Sequence, residues 1–452
     1  RVVLLVGSGD NGGDALYAGA RLAARGAGVH AVLLGGDRVH AGGLAALRRA
    51  GGRTVEPAAA AAVLARAALV LDGITGIGGR GGLRPEAAEL VRTAAGAGAP
   101  VVSVDLPSGV DADTGEVEGE AVTADVTVTF GAYKPGLLID PGRSRAGVVR
   151  LVDIGLGPEL AGVEPVARAR HHHEIAALLP VPGPESDKYR RGVVGVAAGS
   201  EQYPGAAVLA VSGALRGGAG AVRYVGPPAD AVLARHPEVL VGAGRVQAWV
   251  AGPGFGDAPE ARERLAAALG DGVPTVVDAD GLRMLGPVPG AGTRGPLVLT
   301  PHAGEAAALL GVARADVEAS RLASVRRLAR ETGATVLLKG STTLIAAPPG
   351  EEDAGGGPGP GRAGGHRRQD PLDGGTVLVN PNGTGWLATA GSGDVLAGLI
   401  GSLLAAGLAP VDAAATGAYL HGLAAALAPH PPTAAEVAEA LPAAWRRLRE
   451  PG

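Results

Sequence analysis

The chain has 452 residues and a formal charge of −4 with no long run of either sign, so nothing in it is patterned to neutralise a nucleic-acid backbone. Cysteine is absent, which excludes thiol chemistry and a disulfide framework. The length suits two or three domains with real cores, no apolar run is long enough to span a bilayer, and a cytoplasmic location is the expectation.

Arg1 leads straight into the apolar run Val2–Val6, so residues ahead of this first strand are expected to be missing. A polar glycine turn from Gly7 to Asp14 follows, then a helix over 15–25. Strands are expected over 30–34, 68–72, 100–105, 124–130 and 148–153, with helices over 42–50 and 85–97 between them. Short apolar runs alternating with helices predict a parallel, doubly wound, Rossmann-like sheet, in which ligands bind beyond the carboxyl ends of strands. A change of composition marks 161–187 as a linker containing a helix and the run His171–His173. Three adjacent histidines cannot face one ion from a regular element, so that run is not read as a metal centre.

A second α/β domain is expected over 188–452. Its strands are predicted at 192–198, 222–225, 248–251, 274–278, 297–299, 335–339, 342–346 and 376–380. Residues 348–375, rich in Gly, Pro and charge, read as a disordered insertion in a hairpin. The close of the chain, 412–427 and 434–449, reads as helical.

Several turns have the chemistry of binding sites. Gly7-Ser-Gly-Asp-Asn-Gly12 satisfies the G-x-G-x-x-G pattern between a strand and a helix, with Asp37 near the place of a ribose-binding acid. Taken alone that fits a nicotinamide-dependent dehydrogenase, but Asn11, Gly13 and Asp14 add oxygen-rich groups that suit a monovalent cation. Asp105-Leu-Pro-Ser-Gly-Val-Asp111 ends another strand and offers Asp105 as a proton acceptor or donor, although the same residues make an ordinary turn. His302 and the glycine turn Gly252–Gly256 also follow strands. Only three of the 40 Lys and Arg residues are lysines, Lys134, Lys188 and Lys339, and Lys339-Gly-Ser-Thr-Thr343 reads as a phosphate-holding turn. There is no Walker A motif. The remaining anion cradle is Thr389-Ala-Gly-Ser-Gly-Asp394, a glycine turn opening a helix expected over 395–404. Asp394 there is either an N-cap or a base for a substrate hydroxyl.

This ordered set resembles the bifunctional NAD(P)H-hydrate repair enzymes, an epimerase domain fused to an ADP- or ATP-dependent dehydratase. The epimerase signatures are matched by Asp10-Asn-Gly-Gly-Asp14, Asp72-Gly-Ile-Thr-Gly76 and the segment from Asp105 to Gly115. The dehydratase series is matched by Asp187-Lys-Tyr-Arg-Arg-Gly192, Gly205-Ala-Ala207, Gly252-Pro-Gly-Phe-Gly256, Pro301-His-Ala-Gly-Glu305, Lys339–Thr343, Asn380-Pro-Asn-Gly383 and Gly391-Ser-Gly-Asp394. The resemblance implies an epimerase domain over 1–160 and a ribokinase-like dehydratase domain over 188–452. It implies potassium at Asn11, Asp72 and Ser108. It implies the hydrated cofactors, NADH hydrate and NADPH hydrate, at Asp10, Asn11, Gly12, Gly13, Asp14, Gly76, Ile77, Gly78, Gly79, Arg80, Gly81, Gly82 and Asp105. In the second domain it implies the hydrate at Ala207, Gly254, His302 and Asp394, with ADP and its Mg²⁺ at Lys339, Gly340, Ser341, Thr342, Thr343 and Gly393. Asp105 and Asp394 would be the catalytic acids or bases, and a homo-oligomer is expected. The family commonly has two asparagines where this chain has Asp10-Asn11. The competing reading is a ribokinase-type kinase of a vitamin precursor alcohol, with a front domain that only binds nucleotide.

Overall fold

The computed structural model describes residues 1–285, 294–349 and 375–450. Nearly all of the insertion expected at 348–375 therefore lies outside the described residues. The chain divides into two compact units, Arg1–Glu164 and Pro165–Gly452.

The first unit is one seven-stranded sheet of β1 (Val2–Val6), β2 (Val29–Leu33), β3 (Arg53–Val55), β4 (Leu69–Gly73), β5 (Val101–Val104), β6 (Val126–Phe130) and β7 (Val148–Val152), in the order β3-β2-β1-β4-β5-β6-β7. Every pairing is parallel, with Val2 opposite Val29 on one side and Leu69 on the other. All five residues of β1 are buried, because a central parallel strand is covered on both faces. Leu4, Leu16 and Leu47 pack one face and Val3, Leu64 and Leu90 the other. The order reverses at β1 and β4, the switch point at which such sheets bind ligands. Gly7 stands there, and a Cβ on it would lie well inside contact distance of the Ile74 carbonyl oxygen.

The second unit is built on β8 (Ala167–Arg168), β9 (Val193–Ala197), β10 (Ala221–Val225), β11 (Leu240–Val241), β12 (Ala248–Ala251), β13 (Thr275–Val277), β14 (Leu297–Leu299), β15 (Thr335–Leu338), β16 (Thr343–Ala346) and β17 (Val377–Asn380). Their order is β11-β10-β9-β12-β13-β14-β15-β16-β17-β8. Among the described residues only β15–β16 and β16–β17 are antiparallel. The helices Pro204–Arg216, Ser392–Ala405, Pro410–Leu427 and Ala434–Arg449 supply much of one continuous apolar core with the strands. No helix among the described residues is long and apolar enough to cross a membrane.

Several structural facts differ from the sequence expectations. The stretch 161–187 contributes β8, which pairs with β17, and the helix His172–Leu178; Ile175 and Leu179 are 1% and 4% exposed within the second unit's core. The first helix begins at Asp10, so Asp10 to Asp14 form its opening turn rather than the loop ahead of it. The helix after the glycine turn likewise begins at Ser392, not 395. In both cases small polar residues read as a turn are held helical by the apolar stripe that follows. The short strands β3, β8 and β11 were not expected either; none has a buried residue, so they lack the apolar run by which a strand is read.

Candidate active sites

In the first unit the polar groups converge where β1, β4 and β5 end. Asp72, fully buried on β4, accepts hydrogen bonds from Ser108 Oγ at 2.6 Å, Ser103 Oγ at 2.8 Å, Ser108 N at 2.9 Å and Ile74 N at 3.2 Å. Burial pushes its carboxyl above the ordinary value, against the pull of those donors. Ser108 Oγ also accepts from Thr75 N at 2.9 Å. Asn11 packs over the same segment: a Cβ at Gly76 would lie 3.1 Å from its Cγ, and its buried Nδ2 has no partner among the described residues. The structure therefore brings Asn11, Asp72, Ser108 and Gly76 together.

Asp105 follows β5 with φ 70, a left-handed backbone rare outside glycine. Its Oδ1 meets Lys134 Nζ at 2.5 Å and Thr129 Oγ1 at 3.2 Å. Lys134 Nζ also donates to Thr129 Oγ1 at 2.8 Å and to the Phe130 carbonyl at 2.9 Å, so all three ammonium protons are engaged. Burial, Asp10 and Asp105 together raise the carboxyl of Asp14, which puts Asp14 in reach of both charges. Gly12 and Gly13 are buried within the opening helical turn. The loop Gly76–Gly82 is mostly exposed, with Ile77 at its surface. Arg80 ties that loop to the next one by forking to Asp111 at 3.0 Å and Asp113 at 2.7 Å.

In the second unit the site again lies beyond the carboxyl ends of strands. Gly391, in the left-handed region at φ 87, is the N-cap of the helix Ser392–Ala405, so Asp394 is its third residue and not its cap. The Ser392 amide donates to the Thr389 carbonyl at 3.3 Å; the anion-facing amides are then those of Gly393 and Asp394. Lys339, just past β15, donates to Asp278 Oδ1 at 2.7 Å and has Glu305 Oε2 at 3.9 Å. A Cβ at Gly393 would lie 3.3 Å from Lys339 Nζ and 3.5 Å from Asp278 Oδ2. Asp394 shares this corner. Burial and then Asp278 push its carboxyl up to about 7, Lys339 opposing and Asp280 and Glu305 adding. Burial pulls the Lys339 ammonium down, and the Asp278 and Glu305 charges more than restore it.

The other expected residues of the second unit are held by their own elements. His302 caps the helix Ala303–Leu310: its Nδ1 accepts from Gly304 N at 3.0 Å and Glu305 N at 3.2 Å, and its own amide donates to Glu305 Oε2 at 2.8 Å. This leaves Nε2 on the exposed side, 3.5 Å from Glu305 Oε1. Gly254, at φ 62, lies against the first turn of the helix Pro204–Arg216, and Ala207 is buried in that helix. Gly340 and Ser341 are exposed, whereas Thr342 and Thr343 are buried as β16 begins.

Sequence reasoning missed five contributors. Asp278 and Lys134 are the direct partners of Lys339 and Asp105, and Asp280 donates its charge nearby. Arg321, 6% exposed, fans one nitrogen onto the carbonyls of Leu338 at 3.3 Å, Lys339 at 3.1 Å and Thr342 at 3.1 Å. His421 is buried on the helix Pro410–Leu427 and hydrogen-bonds the backbone of Ser392; burial, aided by the Lys339 charge, pushes its ring down to about 4. Asp278 could have been found as an acid ending an apolar strand, but nothing in the sequence marks a helical arginine or histidine as facing a distant turn.

Two family models match the chain: YjeF-related protein N-terminus over residues 1–136, and NAD(P)H-hydrate dehydratase over 194–358 and 371–444. The bifunctional NAD(P)H-hydrate repair enzyme Nnr of Mycobacterium leprae is 47% identical over 444 residues, 97% of this chain and 85% of that protein. The chain belongs to the bifunctional NAD(P)H-hydrate repair enzyme family. The repair enzyme of Escherichia coli, at 34% identity over 369 residues, covers 79% of the chain and 66% of its own length. Among solved structures, an ADP/ATP-dependent NAD(P)H-hydrate dehydratase from Bacillus subtilis, co-crystallised with ATP and Mg²⁺, superposes with a TM-score of 0.54 at 27% identity. It covers 62% of the chain and 99% of itself. A ribokinase-like protein from Enterococcus faecalis, TM-score 0.52 at 22% identity, shares the fold of the second unit. Repair-enzyme membership thus accounts for both units, and the ribokinase-like fold for the mixed sheet of the second.

Proposed function

We propose that the chain repairs hydrated nicotinamide cofactors. The first unit interconverts the R and S epimers of NADH hydrate and NADPH hydrate, and the second dehydrates the S epimer with ADP. The observation that carries this reading is the meeting of Asp394, Lys339 and the Gly393 amide at one helix N-terminus. That corner has a base, a compact cation and an anion cradle, the three things phosphoryl transfer to a hydroxyl requires.

In the second unit the hydrate's hydroxyl oxygen attacks the β-phosphorus of ADP, Asp394 takes the hydroxyl proton, and AMP leaves with the bridging oxygen. The phosphate ester then breaks its C–O bond, and loss of the neighbouring ring proton restores the double bond of NADH or NADPH. The Gly393 and Asp394 amides and Lys339 hold the phosphoryl oxygens, with Gly340, Ser341, Thr342 and Thr343 shaping the nucleotide turn. Ala207 and Gly254 shape the hydrate side, and His302 meets the hydrate through the exposed side of its ring, where Nε2 lies 3.5 Å from Glu305 Oε1. Mg²⁺ fits as an ion brought by the nucleotide, neutralising phosphate charge; among the described residues no three acidic or histidine side chains group as a metal centre.

In the first unit Asp105 is the proton-transfer residue. Asp10 to Asp14 and Gly76 to Gly82 border the hydrate, with Ile77, Gly78, Gly79, Arg80 and Gly81 on the outer loop. Asn11, Asp72 and Ser108 offer an amide, a carboxylate and a hydroxyl, the hard donors potassium takes. The Nδ2 of Asn11, without a partner among the described residues, is a hydrogen-bond donor, so the ion would be met by the amide's Oδ1, with Nδ2 left to an acceptor oxygen of the hydrate. A cytoplasmic homo-oligomer goes with this reading.

Incubation with NADH hydrate, ADP and Mg²⁺, followed by the absorbance of regenerated NADH, tests it. Regeneration is expected with ADP. Phosphorylation of a vitamin-type alcohol with no NADH signal would replace it with the kinase reading.

A further inference from the structure

Three carboxylates crowd one ammonium in the second site. Asp278 is 1% exposed at the end of β13, one oxygen on Lys339 Nζ at 2.7 Å and the other facing the Gly393 position. The backbone is shaped to put it there: Ala279, the next residue, sits at φ 51, and a Cβ on Gly252 would run into the Asp278 carbonyl. A non-glycine residue in the left-handed region is strained and persists only where the surroundings impose it.

We infer that Asp278 is a positioning residue of the second site: it anchors the Lys339 ammonium beside the Gly393 turn and stands as the negative neighbour of Asp394. Anchoring matters because an untethered Lys339 would pair with Asp394 itself and hold the proton acceptor as a spent carboxylate. With Asp278 in place, Lys339 is engaged and Asp394 keeps its basicity. The same negative charge works against an incoming polyphosphate, so Asp278 trades nucleotide affinity for turnover. The charged groups facing Asp394 are Asp278 after β13, Asp280 on the helix Asp280–Leu285, Glu305 on the helix Ala303–Leu310 and Lys339 after β15. His421, on the helix Pro410–Leu427, is neutral there above about pH 5.

The turnover arm of the test rests on the dehydratase reading; the binding arm does not. Asp278→Asn keeps the side chain's shape and its oxygen for Lys339 but removes the charge. On the full chain, calorimetry with ADP and Mg²⁺ between pH 5.5 and 8.5 should show ADP bound about tenfold tighter than by the parent, as repulsion from the Asp278 charge is relieved. The pH at which affinity falls, as Asp394 ionises, should move down by about one unit. The hydrate assay should show kcat reduced about tenfold, with its acid limb moved the same way. Lys339→Met should move both limbs up instead, and weaken ADP. Unmoved limbs in Asp278→Asn, or ADP binding weakened in step with a lower Tm, would overturn the inference and make Asp278 a structural residue. A parent that binds ADP but regenerates no NADH would sink the dehydratase reading, and the binding limbs would still decide Asp278.

Discussion

For Asp394, the proposed base of the second site, the surroundings have two opposite consequences. A base must be ionised to act, so turnover should rise with pH through about 7, where burial and Asp278 have moved the Asp394 carboxyl; a pH–rate profile reads this directly. For stability the sign reverses. The folded-state value lies above the unfolded one, so the favourable contribution is complete at low pH and is lost as pH rises through about 7. Asp394→Asn should therefore abolish turnover by about 10²-fold or more while ADP still binds, and should raise Tm relative to the parent at pH 8, seen by calorimetric scanning. In the first unit, Lys134→Met removes the cation from Asp105. Epimer interconversion, followed by chromatography, should slow by about 10- to 100-fold with dehydration of the S epimer unchanged. Equal loss in both assays would mean general damage instead.

At the scale of elements, the sites are assembled from strand ends and helix starts, and one buried arginine ties two of these together. Arg321 lies on the helix Arg321–Thr332 and reaches back to three carbonyls around the turn that bears Lys339. Arg321→Met would leave those carbonyls short of a donor and cost about 2–4 kcal/mol. Chemical denaturation should show that loss, accompanied by a higher KM for ADP. Most of the strands and helices were legible because buried parallel strands read as plain apolar runs, as Val193–Ala197 does. Glycine turns announced the positions of Asp394, Asp105 and Asn11. What stayed hidden was contact at long range: Asp278 with Lys339, Lys134 with Asp105, and His421 with Ser392 join residues whose nearness depends on the order of strands. Cap geometry was hidden for a different reason. An aspartate three residues into a helix and one at its cap look alike in sequence, and only the left-handed Gly391 separates them.

For the whole molecule, the division after Glu164 sets where the two activities can be separated. A piece comprising residues 165–452 keeps β8 and the helix His172–Leu178, while one beginning at 188 loses them. Ile175 and Leu179 are nearly fully buried, and at about 1.5–3 kcal/mol for each such side chain the shorter piece should be roughly 3–6 kcal/mol less stable. Urea titration of the two pieces measures it; equal midpoints would make 161–187 a dispensable connector.

The pairing of β8 with β17 has a further consequence, for synthesis. Ala167 lies opposite Val377, so the second unit is closed by its opening strand meeting its last. Contacts so far apart in sequence form late, since the loop between them must first be ordered. As the chain leaves the ribosome, the first unit already has every strand it needs while β8 is still waiting for β17 to be made. The nascent second unit thus carries an unpaired edge through most of its own translation, and it is this unit whose yield should depend on chaperone capacity and on the pace of elongation.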